Sequence, residues 1–152
     1  MDRKEILILG IGNLLLRDEG VGIQIAHRLM EMDLPDNVEV IDGGTGGLNL
    51  IDYLEGRKKV IVIDATKAGG RPGTVYTYTD KDLDLQGAPM LSAHEIDFPQ
   101  VLKTMKMLSI DIPEILFIGI EPEDLSDGIE LSPVVERQVP NIIKMIIDGV
   151  RS

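Results

Sequence analysis

The sequence predicts an α/β fold built on a mostly parallel sheet. Five short β-rich runs stand along the chain, helical stripes lie between most of them, and three of the runs are apolar almost without a break. A strand that is apolar at every position is buried on both faces, and a parallel sheet covered by helices on either side provides that burial.

The first run is EILILG (5–10). A helix over about 19–32 follows, with Val21, Ile25, Leu29 and Met30 on one face. NVEVID (37–42) is the second strand, and Leu48, Ile51 and Leu54 stripe a shorter helix near 47–56. KVIVIDA (59–65) is the third strand. GTVYTYT (73–79) alternates and reads as an edge strand or a half-exposed hairpin arm. Only TKAGGRP (66–72) links it to the strand before, too short for an ordinary parallel crossover, so it is expected to run antiparallel. Val101, Leu102, Met105 and Leu108 mark a third helix begun near Glu95, and EILFIGI (114–120) is the fifth strand. Val135, Val139, Ile142, Ile143 and Ile146 mark the last helix, with Ser132 as N-cap and Pro133 in the first position. Pro140 is expected to bend that helix or interrupt its first turns. The 152 residues are read as a single domain, 1–152.

Composition narrows the function. A net charge of −11 argues against nucleic acid or an anionic membrane as the main partner. The absence of cysteine excludes a disulfide scaffold, a thiolate metal site and a cysteine nucleophile. MDRKEILILG resembles neither a secretory signal nor a membrane span, so a cytoplasmic location is expected.

In open sheets of this class, ligands bind beyond the carboxyl ends of the strands. Those ends carry Gly10-Ile11-Gly12-Asn13 leading to Asp18 and Glu19, then Asp42-Gly43-Gly44-Thr45, Asp64-Ala65, and Gly119-Ile120-Glu121-Pro122. Ser92-Ala93-His94-Glu95 precedes the third helix. A dinucleotide site fits poorly, because Leu15 stands where the third glycine of that fingerprint belongs. Asp18 and Glu19 would also repel a pyrophosphate at the helix start. Asp18 is a natural helix N-cap. His27 lies beside an apolar stripe and reads as structural or exposed. Glu19, Asp64 and His94, from three separate segments, form an oxygen, oxygen, nitrogen set suited to a divalent transition metal. The set does not choose among zinc, nickel, manganese and iron, and HExxH is absent.

At these residues the chain resembles the maturation endopeptidases of nickel-iron hydrogenases. GIGNLLLRDEGVG looks like the family's N-terminal signature, and DGGTGG (42–47), VIDA (62–65), SAHE (92–95) and IGIEP (118–122) follow in the family's order. The resemblance implies a three-layer αβα sandwich around a five-stranded, mostly parallel twisted sheet with one antiparallel strand. It implies an endopeptidase that removes the C-terminal extension of a hydrogenase large-subunit precursor after nickel insertion. The family's three metal-binding positions fall on Glu19, Asp64 and His94, and its substrate-recognition loop on Asp42, Gly43, Gly44 and Thr45. The nickel is supplied by the precursor and no organic cofactor is implied; a monomer is expected. Asp18 is either a general base or a cap. Without a serine-histidine-acid arrangement or a cysteine, no covalent nucleophile stands out. The alternative is a non-catalytic metal-binding or metal-delivery factor for hydrogenase assembly.

Overall fold

The computed structural model describes residues 3–84, 91–92 and 98–151. The elements, in chain order, are β1 (Ile6–Gly10), a 3-10 turn (Arg17–Gly20), α1 (Val21–Met30), β2 (Val38–Asp42), α2 (Leu50–Leu54), β3 (Lys59–Lys67) and β4 (Val75–Thr79). They continue with α3 (Asp80–Asp84), β5 (Leu91–Ser92), α4 (Phe98–Met107), β6 (Glu114–Ile120), α5 (Pro133–Glu136) and α6 (Val139–Arg151).

Five strands form one mixed sheet in the order β2-β1-β3-β6-β4. The pairs β1–β2, β1–β3 and β3–β6 are parallel, and β4 closes one edge antiparallel to β6. The short linker therefore has the expected effect on strand direction. It carries the chain past β6 to the outer edge, so β4 does not form a hairpin with β3. The two-residue β5 lies off this path, antiparallel to the far end of β3, with Thr66 opposite Ser92.

Alternation along the strands divides the core into two layers. Ile6 and Ile8 of β1, with Ile61 and Ile63 of β3, pack against Val21, Ile25 and Leu29 of α1 and Val139, Ile142 and Ile146 of α6. Leu7, Leu9, Val60 and Val62 face the other way, against Leu50 and Leu54 of α2 and Phe98, Val101, Leu102 and Met105 of α4. All five residues of β1 are buried, which is why that run reads as unbroken hydrophobicity.

Two elements differ from expectation and a third is interrupted as expected. A 3-10 turn occupies residues 17–20, so α1 begins at Val21 and not at 19. The helix expected near 47–56 shortens to Leu50–Leu54, because the preceding glycines at 44, 46 and 47 adopt positive φ. The last helix is interrupted near Pro140, as expected: α5 ends at Glu136 and α6 starts at Val139, placing Pro140 in a first turn where its missing N–H costs nothing. The start expected for the third helix near Glu95 lies outside the described residues.

Candidate active site

The corner at the end of β1 is built by close packing. Gly12 has φ +150°, and a Cβ there would collide with the backbone carbonyl of Glu19. A Cβ on Gly10 would strike the Gly22 carbonyl, and one on Gly22 would strike Ile63. The glycines thus let the first turn of α1 sit directly on β1 and β3. These glycines give close approach to protein backbone, not to a ligand's pyrophosphate. Asn13 N–H donates to the Glu19 carbonyl (3.1 Å), and Glu19 N–H donates to Leu16 (3.0 Å), folding the turn back over the strand ends.

That turn is held from outside by the loop after β6. Arg17 N–H donates to the Gly128 carbonyl and Gly128 N–H to the Leu15 carbonyl, both at 2.9 Å. Arg17 sits at φ +46°, a left-handed conformation that costs a side-chain-bearing residue energy. Asp18 secures the arrangement. Its side chain is fully buried, with 0% exposure. Oδ2 accepts hydrogen bonds from Glu123 N–H (2.9 Å), Asp124 N–H (2.9 Å) and the Ser132 hydroxyl (2.7 Å). Oδ1 accepts one from Ser132 N–H (2.8 Å). Asp18 is therefore not a helix cap: neither the turn nor α1 has a side-chain cap bond, and the carboxylate is spent on residues over a hundred positions away. Ser132 does occupy the N-cap position of α5, but it makes no side-chain cap bond and its hydroxyl points its proton at Asp18 instead.

Glu19, next in the chain, is also buried, at 5% exposure, and Asp64 is buried at 1%. Asp64 pairs with Gly119 in the β3–β6 register and shares the strand face of Val60 and Val62. The 3-10 turn packs against β3, so two acids from separate segments are set into one end of the sheet. His94 lies outside the described residues. Among the described residues no group of three His, Cys, Asp or Glu side chains gathers as a metal site.

The other expected site residues lie beside this corner. Asp42 ends β2; its Oδ1 accepts Gly44 N–H (2.9 Å) and its Oδ2 pairs with His27 Nε2 (2.8 Å). His27 is thus an exposed partner of Asp42. Gly12 N–H donates to the Gly44 carbonyl and Gly43 N–H to the Gly10 carbonyl, both at 2.8 Å, which ties the Asp42–Thr45 loop to the glycine loop. A cavity of about 270 Å³ opens between them, walled by residues 12–15, Ile23, Asp42, Gly44 and Thr45.

Glu121 does not join the other acids. Its buried Oε1 accepts Ala68 N–H (2.9 Å), Gly70 N–H (3.1 Å) and the Tyr76 hydroxyl (2.8 Å), fixing the loop between β3 and β4. Partial burial and then the Glu121 carboxylate raise the Tyr76 phenol above its ordinary pKa. At Asp124 the effect is opposite: the hydroxyl (2.6 Å) and N–H (2.9 Å) of Ser126 hold its carboxyl below the ordinary range.

A family model described as hydrogenase maturation protease matches residues 23–149. The chain belongs to that family. The protease is 37% identical over 152 residues to the hydrogenase expression/formation protein HupD of Rhodobacter capsulatus, covering 98% of this chain and 72% of that one. It is 31% identical over 148 residues to the hydrogenase 2 maturation protease of Escherichia coli, covering 96% and 90%. Among solved structures, the hydrogenase maturating endopeptidase HybD from E. coli superposes with a TM-score of 0.86 at 31% identity, over 97% of this protease and 92% of that chain. HybD from Thermococcus kodakarensis superposes at 0.75 with 28% identity, over 93% and 96%. The family model begins after Glu19, so it is the pairwise likenesses, spanning nearly the whole chain, that take in the glycine loop and the 3-10 turn. No helix among the described residues is long and apolar enough to cross a membrane.

Proposed function

We propose that this protease removes the C-terminal extension from the precursor of a nickel-iron hydrogenase large subunit, after nickel has been inserted. In this reading Glu19, Asp64 and His94 read a nickel ion that the precursor itself holds. The supporting observation is the burial of Glu19 and Asp64 at one end of the sheet, where the 3-10 turn meets β3. Carboxylates withdrawn from water gain most from a divalent cation, because Coulomb attraction strengthens as the local dielectric falls. A metal-free precursor offers them no such partner. Docking and metal content are then one event.

The remaining residues take supporting roles. Asp18 is a positioning residue: four donors fill its carboxylate, so it holds the turn that carries Glu19 and does not act as general base. Asp42, Gly43, Gly44 and Thr45 form the wall along which the peptide lies. The ion supplies Lewis acidity at the scissile carbonyl. The three protein ligands fix where that ion sits relative to the wall.

The test is incubation of the purified protease with nickel-loaded and metal-free precursor, followed by intact mass measurement. Loss of the C-terminal peptide from the loaded form alone is expected. Equal cutting of both forms would remove the nickel-reading step, and an unchanged precursor mass would favour a delivery factor.

A further inference from the structure

Three large apolar side chains stand in water at one corner of the molecule: Leu14 is 37% exposed, Leu15 67% and Ile129 63%. Single exposed leucines are ordinary on a protein surface. These are not scattered. Leu14 and Leu15 are consecutive, and both line the cavity of about 270 Å³ beside the Asp42 loop. Ile23, itself buried, adds to the apolar lining. The Leu15 carbonyl accepts the N–H of Gly128 (2.9 Å), which brings the neighbouring Ile129 to the same corner.

The turn that carries the leucines is braced. Asn13 Oδ1 accepts Leu15 N–H (3.0 Å), and the Asn13 carbonyl accepts Leu16 N–H (3.1 Å). Asn13 N–H donates to the Glu19 carbonyl, so the leucines hold a fixed position relative to Glu19. Across the cavity the wall is partly bare main chain: Gly44 has φ +58°, and a Cβ there would meet nothing within 4 Å. Asp42, the charged residue of the lining, already accepts Gly44 N–H and pairs with His27. Folding therefore leaves an apolar recess open at the edge of the site, and apolar area left in water is free energy that a partner recovers on docking.

We infer that Leu14 and Leu15 are specificity-determining residues, and that the recess they wall takes an aliphatic side chain of the precursor. Size and charge select this occupant. The recess is smaller than the roughly 300–1,000 Å³ of small-molecule sites and suits one or two side chains. A second copy would bring the same net charge of −11 against it. A precursor held at Glu19 passes the leucine turn, because the two are joined by the Asn13 hydrogen bond. The inference rests on the precursor-processing reading above.

The chain has no cysteine, so L15C carries a sole thiol for a maleimide-benzophenone crosslinker. M107C is the control: Met107 is 84% exposed and ends α4, which returns to the start of β6 at the opposite end of the sheet from Glu19. On illumination with nickel-loaded precursor, labelled L15C is expected to join the precursor in a segment bearing an aliphatic side chain, and labelled M107C is not. In steady-state processing L15S should raise KM about five- to thirtyfold with kcat within about twofold, the loss of one apolar contact made equally before and during the reaction. L15M keeps the apolar volume and should return KM to within about threefold of wild type. Labelled L15C joining the precursor no more than M107C does overturns the inference, as does L15C joining only a second copy of the chain. If the wild type leaves the precursor whole while L15C still joins it, the processing reading fails and the docking recess stands. If the wild type cuts and L15S matches its KM, the recess alone fails.

Discussion

The two flanks of the sheet's carboxyl end are built alike and serve different parts. On one flank Asp18 draws in the loop after β6; on the other Glu121 draws in the loop between β3 and β4. Both are buried carboxylates loaded with donors. Asp18 uses both oxygens on four donors, and the segment it holds in turn supports the strained Arg17 beside Glu19. Glu121 uses one oxygen on three donors and holds a loop with no acid of the proposed site. The lesson is that burial alone does not mark a reacting acid. Asp18 is a buried acid on whose carboxylate much of the fold hangs, since its donors come from segments over a hundred residues away.

The sharpest break of that comparison is D18A. It orphans four donors, two of them buried on Ser132 and each of those costing about 1–3 kcal/mol, so a stability loss of about 2 kcal/mol or more and loss of processing are expected together. E19A and D64A should abolish processing, read from the intact mass of the precursor. Next in size, E121A should cost about 1–3 kcal/mol by chemical denaturation while the protease keeps part of its processing rate, since the loop it frees bears no ligand. H27A removes a half-exposed contact to Asp42 and should cost under about 1 kcal/mol, with processing within a fewfold of wild type. Complete loss there would make the Asp42 loop far more sensitive to its support than its exposure implies.

The smallest effect concerns pH. Asp124's folded pKa lies below its unfolded one, so its contribution to stability is present above the unfolded pKa and fades as pH falls through the folded one. S126A removes the main cause of that depression. Stability at neutral pH should then be slightly lower and its acid-side decline slightly shallower, read from melting curves between about pH 2 and 5.

Much of the fold was legible because its signals are local. Unbroken apolar runs marked β1, β3 and β6, and a short linker set the direction of β4. The acids at the strand ends were legible as a group for the same reason. Their division of labour was not. Asp18 reaches Ser132 across 114 positions and Glu121 reaches Ala68 across 53, and no local pattern encodes such partners. Asp18 at a helix start carries the same signal whether it caps the helix or grips a distant loop. The pairing of His27 with Asp42 was hidden too, since it depends on α1 lying beside the end of β2. His94, the third expected ligand, lies outside the described residues.

The contact of Gly22 with Ile63 has one more consequence. Helix and strand touch backbone to backbone, with no side chain between them to repack, so α1 cannot slide to suit a larger or smaller guest. The jaw is rigid on this side, and under the proposed reading any adjustment to an ion's size would fall to the precursor.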